Sequence, residues 1–267
     1  MRLALAQLDT GWHDPDRFQS LAVAAVASAC AQGAHLVAFP EMANTGFTMD
    51  SATWAEPLDG PTMTHLRTLA RAHGIELLAA LPTRRDGKFY NTAAHIGRDG
   101  ECLSLYDKQS LFAYAGEHAH YHVGAPGRVS VTDGVRWVPR ICYDLRSPEL
   151  FRSAGPSVDL IVVIANWPAT RRAHWEQLLG ARAIENQTWV VGLNRIGEGG
   201  GLAYAGGSRV LDPWGELVLA LDDQPGVTCV DIDAERVTQV RSEFPFTIDR
   251  RSALVTPTVD AVVSPAR

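Results

Sequence analysis

Short apolar runs alternate along most of the chain with longer segments in which apolar residues recur every third or fourth position. Residues 2–8 form the first such run, and Asp14-Pro15 then begins a segment of helical periodicity that Gly33 ends. We predict further helices at about 63–70, 148–153 and 172–187. We predict further strands at 35–39, 75–81, 90–96, 102–106, 129–132, 135–142, 159–165, 189–194, 208–211, 216–221 and 227–232.

Three pairs of these predicted strands are separated by residues typical of tight turns. The turns are Arg98-Asp99-Gly100, Asp133-Gly134 and Pro213-Trp214-Gly215, and each predicts a hairpin. Hairpins combined with alternating helices and strands indicate a layered α/β fold with mixed sheets. Because no low-complexity linker divides the chain, we predict a single domain over residues 1–243. Residues 244–267 contain several prolines without strong periodicity and are predicted to form a C-terminal tail.

The composition is that of a globular protein. Of 267 residues, 46% are apolar and 20% are charged, which excludes a disordered, collagenous or coiled-coil chain. The net charge is -6 and no block of Lys and Arg occurs, so a surface for nucleic acid or anionic membranes is not expected. The uncharged run at 21–40 is rich in alanine and interrupted by Gln32-Gly33, which favours a helix followed by a strand over a membrane span.

Cysteine usage indicates a reducing compartment. The four cysteines are widely spaced without a CxxC pair, which argues against a disulfide framework. The first apolar run is too short for a secretory signal. We therefore expect a cytoplasmic protein.

Motifs for phosphate, dinucleotide or zinc binding are missing from the sequence, so we expect neither a cofactor nor a metal. His118, His120 and His122 alternate, and on a strand they would share a face that could bind a metal. No carboxylate or cysteine completes the set at ligand spacing, so a position in a pocket wall or in solvent is the favoured interpretation.

Three chemically active side chains lie at or near the ends of predicted strands. They are Glu41, Lys108 and Cys142. A cysteine nucleophile needs a base to take its proton and a positive charge to stabilise the anion, and this set supplies both. Taken singly, each residue also fits an ordinary surface or core position, so the spacing alone leaves the question open.

The segments around these residues resemble the motifs of the nitrilase-like, or carbon–nitrogen hydrolase, superfamily. Phe39-Pro40-Glu41-Met42 is similar to its glutamate motif, Tyr106-Asp107-Lys108 to its lysine motif, and 140–148 to its cysteine motif, in the family's order. The resemblance continues through 165–168, 182–187, 208–210 and 212–215 and covers residues 1 to about 235. Ser147 stands where a phenylalanine is commoner, a difference that we expect to affect packing.

This resemblance implies a four-layer αββα sandwich with two mixed β-sheets flanked by helices. It also implies a homodimer or higher homo-oligomer, in which the tail after residue 243 often packs on a partner subunit. The site roles that it implies are Cys142 as the nucleophile, Glu41 as the general base, Lys108 as the stabiliser of the tetrahedral intermediate, and Glu117 as an orienting carboxylate. The backbone N–H of Tyr143 would help to bind the oxyanion.

Three charged residues near the nucleophile are expected to have a structural role instead. Asp144, Arg146 and Glu185 are predicted to form ion pairs beneath the site.

The amino-acid sequences of these motifs most closely resemble those of ω-amidases, which hydrolyse 2-oxoglutaramate or 2-oxosuccinamate to a 2-oxo acid and ammonia. Such a small-molecule amide carries a carboxylate, and a guanidinium binds a carboxylate with two hydrogen bonds. Arg171 and Arg172 are therefore candidates for that contact. Phe112, Asn166 and Trp167 are expected to line the pocket.

Several alternatives remain open. An N-carbamoyl-amino-acid amidohydrolase and a nitrilase use the same three residues. A catalytically silent binding protein is another alternative, although the intact Glu41, Lys108 and Cys142 argue against it. A papain-like hydrolase is disfavoured because Cys142 lacks the CGSCW-type context.

Overall fold

Two six-stranded mixed β-sheets lie face to face at the centre of the computed structural model, which describes residues 1–249. The strands are β1 (Arg2–Gln7), β2 (Leu36–Ala38), β3 (Glu76–Arg85), β4 (Lys88–Ile96), β5 (Cys102–Asp107), β6 (Ser130–Thr132), β7 (Val135–Ile141), β8 (Leu160–Ala165), β9 (Trp189–Asn194), β10 (Ile196–Gly199), β11 (Leu202–Ala205), β12 (Arg209–Leu211), β13 (Leu217–Ala220) and β14 (Gly226–Asp231). The α-helices are α1 (Pro15–Ala31), α2 (Ser51–Trp54), α3 (Pro61–His73), α4 (Glu117–His120), α5 (Pro148–Ala154), α6 (Arg172–Asn186) and α7 (Ala234–Glu243).

The first sheet has the strand order β14-β1-β2-β3-β4-β5, and the second has the order β13-β12-β9-β8-β7-β6. β1, β2 and β3 are parallel to one another, as are β7, β8 and β9. The other ladders in both sheets are antiparallel, so the predicted mixture of hairpins and crossovers is confirmed. β10 and β11 form a separate two-stranded hairpin.

Alternation along β1 shows how the layers are packed. Leu3 and Leu5 belong to the apolar cluster between the two sheets, whereas Ala4 and Ala6 pack with the cluster that includes α1 and α3. Successive strand residues point to opposite faces, so a strand covered on both sides reads as one continuous apolar run. On the far side of the second sheet, α6 packs against β9 through Trp175, Leu179 and Ala183. The result is the predicted four-layer αββα sandwich.

Several regions differ from the expectations, including α2 and the β10–β11 hairpin, for which no element is predicted. α7 follows β14 in a segment for which the apolar pattern predicts no element, because only Val237 and Val240 of this helix are buried. His118 and His120 lie on the short helical turn α4 and not on a strand, so they do not share a strand face with His122.

The end of the chain lies only partly within the described residues. The first six residues of the predicted tail include a 3₁₀ turn at Phe246–Asp249, and the remainder, 250–267, lies outside the described residues. The domain limit at residue 243 stays a prediction. Within residues 1–249, no helix is both long enough and apolar enough to cross a membrane.

Candidate active site

One edge of the sandwich collects the ends of strands from both sheets. Glu41 lies shortly after β2, and Lys108 and Cys142 directly follow β5 and β7. Asn166 directly follows β8. β5 runs parallel to β2 because two antiparallel ladders separate β3 from β5, so their carboxyl ends point the same way. Polar residues at the carboxyl ends of parallel strands meet in a crevice at that edge.

A buried ammonium group between two buried carboxylates forms the centre of this crevice. Lys108 Nζ donates to Glu41 Oε1 at 2.9 Å, to Glu117 Oε1 at 2.9 Å and to Glu117 Oε2 at 3.0 Å. The side chains of all three residues are 0% exposed. The family resemblance leads one to expect Glu117 near this site, and the structure places it in direct contact with Lys108.

Two asparagines fix the orientation of the Glu41 carboxylate. Asn91 Nδ2 donates to Glu41 Oε1 at 2.8 Å and to Glu117 Oε1 at 3.4 Å, which links the two acids. The backbone N–H of Asn166 donates to Glu41 Oε2 at 2.9 Å, and Asn166 Nδ2 donates to the Glu41 carbonyl at 2.7 Å. Asn91 was missed by sequence reasoning, because β4 also contains the polar residues Lys88, Thr92 and His95 and its pattern does not single out the amide.

The charged groups in this cluster shift one another's pKa values. Burial alone lowers the pKa of Lys108, but Glu117 and Glu41 outweigh burial and raise it above its ordinary value. Burial raises the pKa of Glu117, while Lys108 acts in the opposite direction. The two acids therefore favour the charged form of Lys108, which supplies one positive charge for both of them.

Cys142 sits at a strained turn beside this cluster. Its φ of 45° lies in the left-handed region, which is uncommon for residues other than glycine. Met42, directly after Glu41, has a φ of 41°. Such strain is found at functional sites, where the surrounding packing enforces the conformation. Burial, and secondarily the neighbouring Glu41 carboxylate, raises the pKa of the Cys142 thiol well above its usual range. Burial thus favours the neutral thiol of Cys142 over the thiolate.

Asp144 joins the cysteine turn to the lysine loop. Its carboxylate accepts from the backbone N–H groups of Ser110 at 2.7 Å, Gln109 at 3.2 Å and Ile141 at 2.9 Å, and from the Tyr106 hydroxyl at 2.7 Å. The prediction that Asp144 forms an ion pair is wrong, because amide and hydroxyl donors occupy both of its oxygens. These hydrogen bonds fix the loop after Lys108 against the turn that holds Cys142.

The other two residues expected in ion pairs differ from each other. Glu185 does pair with Arg182, at 2.9 Å. Arg146 has no carboxylate partner among residues 1–249; its guanidinium lies over Trp167, 4.9 Å from the ring centroid, and bonds His174 Nδ1 at 3.0 Å. Sequence reasoning therefore misplaced Arg146, which forms part of the wall of the cavity in front of Cys142.

That cavity has a volume of about 340 Å³, within the range of small-molecule sites. Its wall includes the predicted residues Phe112, Tyr143, Asn166, Trp167 and Arg171. The other lining residues are Trp12, Phe47, Met49, Lys108, Ala115, Cys142, Arg146, Pro168, Gly200, Leu202 and Tyr204.

The two arginines proposed for a carboxylate occupy different places. Arg171 lies over the Phe112 ring at 5.3 Å and has no acidic partner in the described part of the chain. Arg172 lies outside the cavity wall, and its Nε donates to Glu176 at 2.9 Å. Arg172 is therefore not placed to meet a ligand in this cavity.

Residues 1–249 hold no group of three or more His, Cys, Asp or Glu side chains that could bind a metal ion. The four cysteines are all free thiols.

The family model described as carbon-nitrogen hydrolase matches residues 2–242. The chain belongs to this family. The family match, together with the amidase names of similar proteins, identifies an amide-hydrolysing enzyme. A 2-oxoglutaramate amidase from Bacillus subtilis is 31% identical over 83% of this chain and 86% of its own length. The omega-amidase YafV from Yersinia enterocolitica is 39% identical over 79% of this chain and 82% of its own length.

Two solved structures of carbon-nitrogen hydrolases resemble this one. XC1258 from Xanthomonas campestris, which carries an arsenic adduct in its active site, has a TM-score of 0.90 and 33% identity, and the match covers 96% of this chain and 99% of that one. The second is a mutant amidase from Nesterenkonia sp. AN1, in which acrylamide has added to the active site cysteine. It has a TM-score of 0.81 and 31% identity, and the match covers 93% of this chain and 99% of that one.

Replacing Asn91 by Ala tests whether the amide that links the two acids matters for turnover. A hydrogen bond to a charged group contributes about 1.5–3 kcal/mol, so we expect kcat/KM for amide hydrolysis to fall by about 10–100-fold, mainly in kcat. Thr92→Ala is the matched control, because the neighbouring Thr92 side chain bonds Asp107 and Thr83 instead. Equal losses in the two variants would contradict a specific role for Asn91.

Proposed function

We propose that the protein is an ω-amidase, which hydrolyses the terminal amide of a small 2-oxo acid such as 2-oxoglutaramate or 2-oxosuccinamate and releases ammonia. The observation that supports this best is a single cavity that joins the Cys142 thiol to guanidinium groups without acidic partners in the described residues. In such a cavity the thiol attacks the amide of the substrate, while a guanidinium elsewhere in the wall binds its carboxylate.

Formation of the nucleophile is the first step. Because the pKa of Cys142 is raised, the thiol proton must leave as Sγ attacks the amide carbon, and the Glu41 carboxylate is the adjacent base. Asn91 and Asn166 hold that carboxylate in place, so proton transfer needs little rearrangement.

Lys108 and the backbone N–H of Tyr143 then stabilise the oxyanion. Tyr143 lies in the first turn of the 3₁₀ helix Cys142–Arg146, where N–H groups have no partner within the helix. All three N–H donors of Lys108 have carboxylate acceptors in the resting site. One of its two bonds to Glu117 must therefore open to reach the oxyanion, and the second bond keeps the ammonium anchored. A single oxyanion donor contributes about 3 kcal/mol to the transition state.

Collapse of the intermediate breaks the C–N bond. Glu41 returns its proton to the departing nitrogen, and ammonia leaves a thioester on Cys142. Glu41 next takes a proton from water, whose oxygen attacks the thioester carbon. The C–S bond breaks, the proton returns to sulfur, and the acid is released, so no cofactor or redox partner is required.

Arg171 is proposed to bind the carboxylate of the substrate, with Arg146 as the second cation of the same wall. Each guanidinium lies over aromatic rings, which hold it in place while leaving N–H groups available. Phe112, Trp167 and Asn166 complete the predicted wall. The amidase names of the Bacillus subtilis and Yersinia enterocolitica relatives support the same substrate class.

An N-carbamoyl-amino-acid amidohydrolase is the second candidate, because its substrate also carries a carboxylate that Arg171 would bind. A nitrilase substrate needs no carboxylate, so the two guanidiniums give no support to that reaction.

Ammonia release from a panel of substrates tests the proposed function. The panel contains 2-oxoglutaramate, succinamate, glutamine, an N-carbamoyl amino acid and a simple nitrile. We expect the highest kcat/KM with 2-oxoglutaramate and complete loss of that activity in Cys142→Ala, since no other thiol lines the cavity to form the thioester.

Cys30→Ala serves as the control, because Cys30 is also a partly buried thiol but lies in α1 and does not line the cavity. Activity that survives in Cys142→Ala would overturn the mechanism. A preference for the carbamoyl compound, detected as carbon dioxide together with ammonia, would replace the ω-amidase proposal by the second candidate.

Arg171→Ala tests the carboxylate contact. Loss of a charge-assisted hydrogen bond of about 1.5–3 kcal/mol should lower kcat/KM for 2-oxoglutaramate by about 10–100-fold, mostly through KM. Hydrolysis of butyramide, which has no carboxylate, should change little. Arg172→Ala provides the matched control, and a larger effect there than in Arg171→Ala would refute the assignment.

We also propose a cytoplasmic homodimer. Exposed apolar side chains cluster where the β12–β13 turn meets the end of α7: Trp214 lies 4.5 Å from Phe244 between ring centroids, and Phe246 is 61% exposed. Such patches on globular proteins commonly mark interfaces. The four free thiols are typical of a reducing compartment.

Light scattering of the purified protein tests the dimer. We expect a dimeric mass for the wild type and a monomeric mass for Phe246→Asp, because a charge in an apolar interface opposes association. Val131→Asp, on the exposed edge strand β6, should leave the mass unchanged. A monomeric wild type would contradict the proposal.

A further inference from the structure

Trp12 is a cavity residue to which neither the proposed mechanism nor the carboxylate contact assigns a role. It lies in the loop between β1 and α1, lines the cavity, and is 37% exposed. Other lining residues from nearby segments are apolar, namely Phe47, Met49 and Leu202. Together with Trp12, these residues make up an apolar portion of the cavity wall.

Two glycines shape the space that the Trp12 ring occupies. A Cβ added at Gly46 would lie 2.8 Å from Cε3 of the indole, and one added at Gly200 would lie 2.8 Å from Cη2. Both distances are shorter than van der Waals contact. Gly46 and Gly200 also have φ values of +73° and +57°, which side chains other than glycine rarely adopt. The indole is thus in close contact with the backbone of two separate segments.

A second set of contacts holds the indole from its own loop. The His13 ring stacks on Trp12 and also on Trp54, with centroid distances of 4.4 Å in both cases. His13 Nε2 lies 2.9 Å from Thr48 Oγ1, and the His13 backbone N–H donates to the Thr45 carbonyl at 2.9 Å. The loop of Trp12 is therefore fastened to the segment that follows Glu41.

Arg195 joins this loop to the β10–β11 hairpin. Its buried guanidinium donates to the Gly11 carbonyl at 2.9 Å, to the Glu198 carbonyl at 3.0 Å and to Asp9 Oδ1 at 3.1 Å. The same group lies over the ring of Tyr204, another cavity residue, at 4.7 Å. Trp12 and the hairpin consequently form one rigid part of the wall.

We propose that Trp12 determines substrate specificity by limiting the length of the acyl chain that fits between Cys142 and the cavity wall. The Trp12 ring packs on the backbone of two glycines and on the His13 ring, and the hydrogen bonds of Arg195 hold its loop. The ring therefore cannot move aside for a longer chain without disrupting those contacts. The substrate class is therefore a short, unbranched ω-amide. This inference rests on the proposed amidase activity.

The test compares kcat/KM for ammonia release from the monoamides of linear four-, six- and eight-carbon dicarboxylic acids. In the wild type we expect activity to fall steeply with chain length. In Trp12→Ala the ratio of six-carbon to four-carbon activity should rise by at least about 10-fold, since each methylene that a pocket accepts changes the rate by about 10–200-fold. Trp12→Phe keeps an aromatic ring for His13 to stack on and should give a smaller rise in this ratio. It keeps the proposal testable if the Ala variant does not fold.

Trp54→Ala is the matched control, because Trp54 stacks on the same histidine but does not line the cavity. Its chain-length ratio should equal that of the wild type. An unchanged ratio in both Trp12 variants, or an equal rise in Trp54→Ala, would overturn the role of Trp12. Absence of ammonia release from every amide by the wild type would instead overturn the proposed function, so the two failures are distinguishable.

Discussion

The ammonium of Lys108, enclosed between the carboxylates of Glu41 and Glu117, is the interaction on which the rest of the site depends. Removing one partner from a buried ion pair leaves an uncompensated charge and costs about 3–5 kcal/mol, so the three side chains are stable only as a set. They come from three separate segments of the chain. The cluster can therefore exist only when the segment after β2, the loop after β5 and the turn α4 all occupy their native positions.

The architecture supplies those positions at one edge of the sandwich. The strand directions in both sheets place the carboxyl ends of β2, β5, β7 and β8 at the crevice, and Asp144 then joins the loop after Lys108 to the turn of Cys142. The carboxylate that was expected to make an ion pair thus works as an acceptor for backbone N–H groups. A hydrogen-bonded acid of this kind sets the relative position of two loops more strictly than a solvent-exposed ion pair would.

Strand patterns predict most strand positions and the candidate reactive residues, because those depend on local alternation and on residue types next to strand ends. The four layers were implied by the resemblance of the motifs to a known family. The role of Asn91 could not be predicted, since its contacts to Glu41 and Glu117 lie 50 and 26 positions away in sequence. For a related reason, Arg146 was predicted in an ion pair but lines the cavity, whereas Arg172 was predicted at the substrate but lies outside the cavity wall. Which of several arginines faces a cavity depends on the geometry of a helical turn. α7 was not predicted from the sequence, because few of its residues are apolar and buried.

The raised pKa of Cys142 has a consequence for the durability of the enzyme. Peroxides and other electrophiles react with thiolates, and oxidation past the sulfenic state is irreversible in most proteins. Burial that raises the pKa of the Cys142 thiol lowers the fraction of thiolate that such reagents can attack. In the proposed mechanism the thiol proton leaves as sulfur attacks the amide carbonyl, so thiolate character develops only when a substrate occupies the cavity. In that mechanism, the burial that makes Cys142 depend on Glu41 also limits its reaction with electrophiles between turnovers.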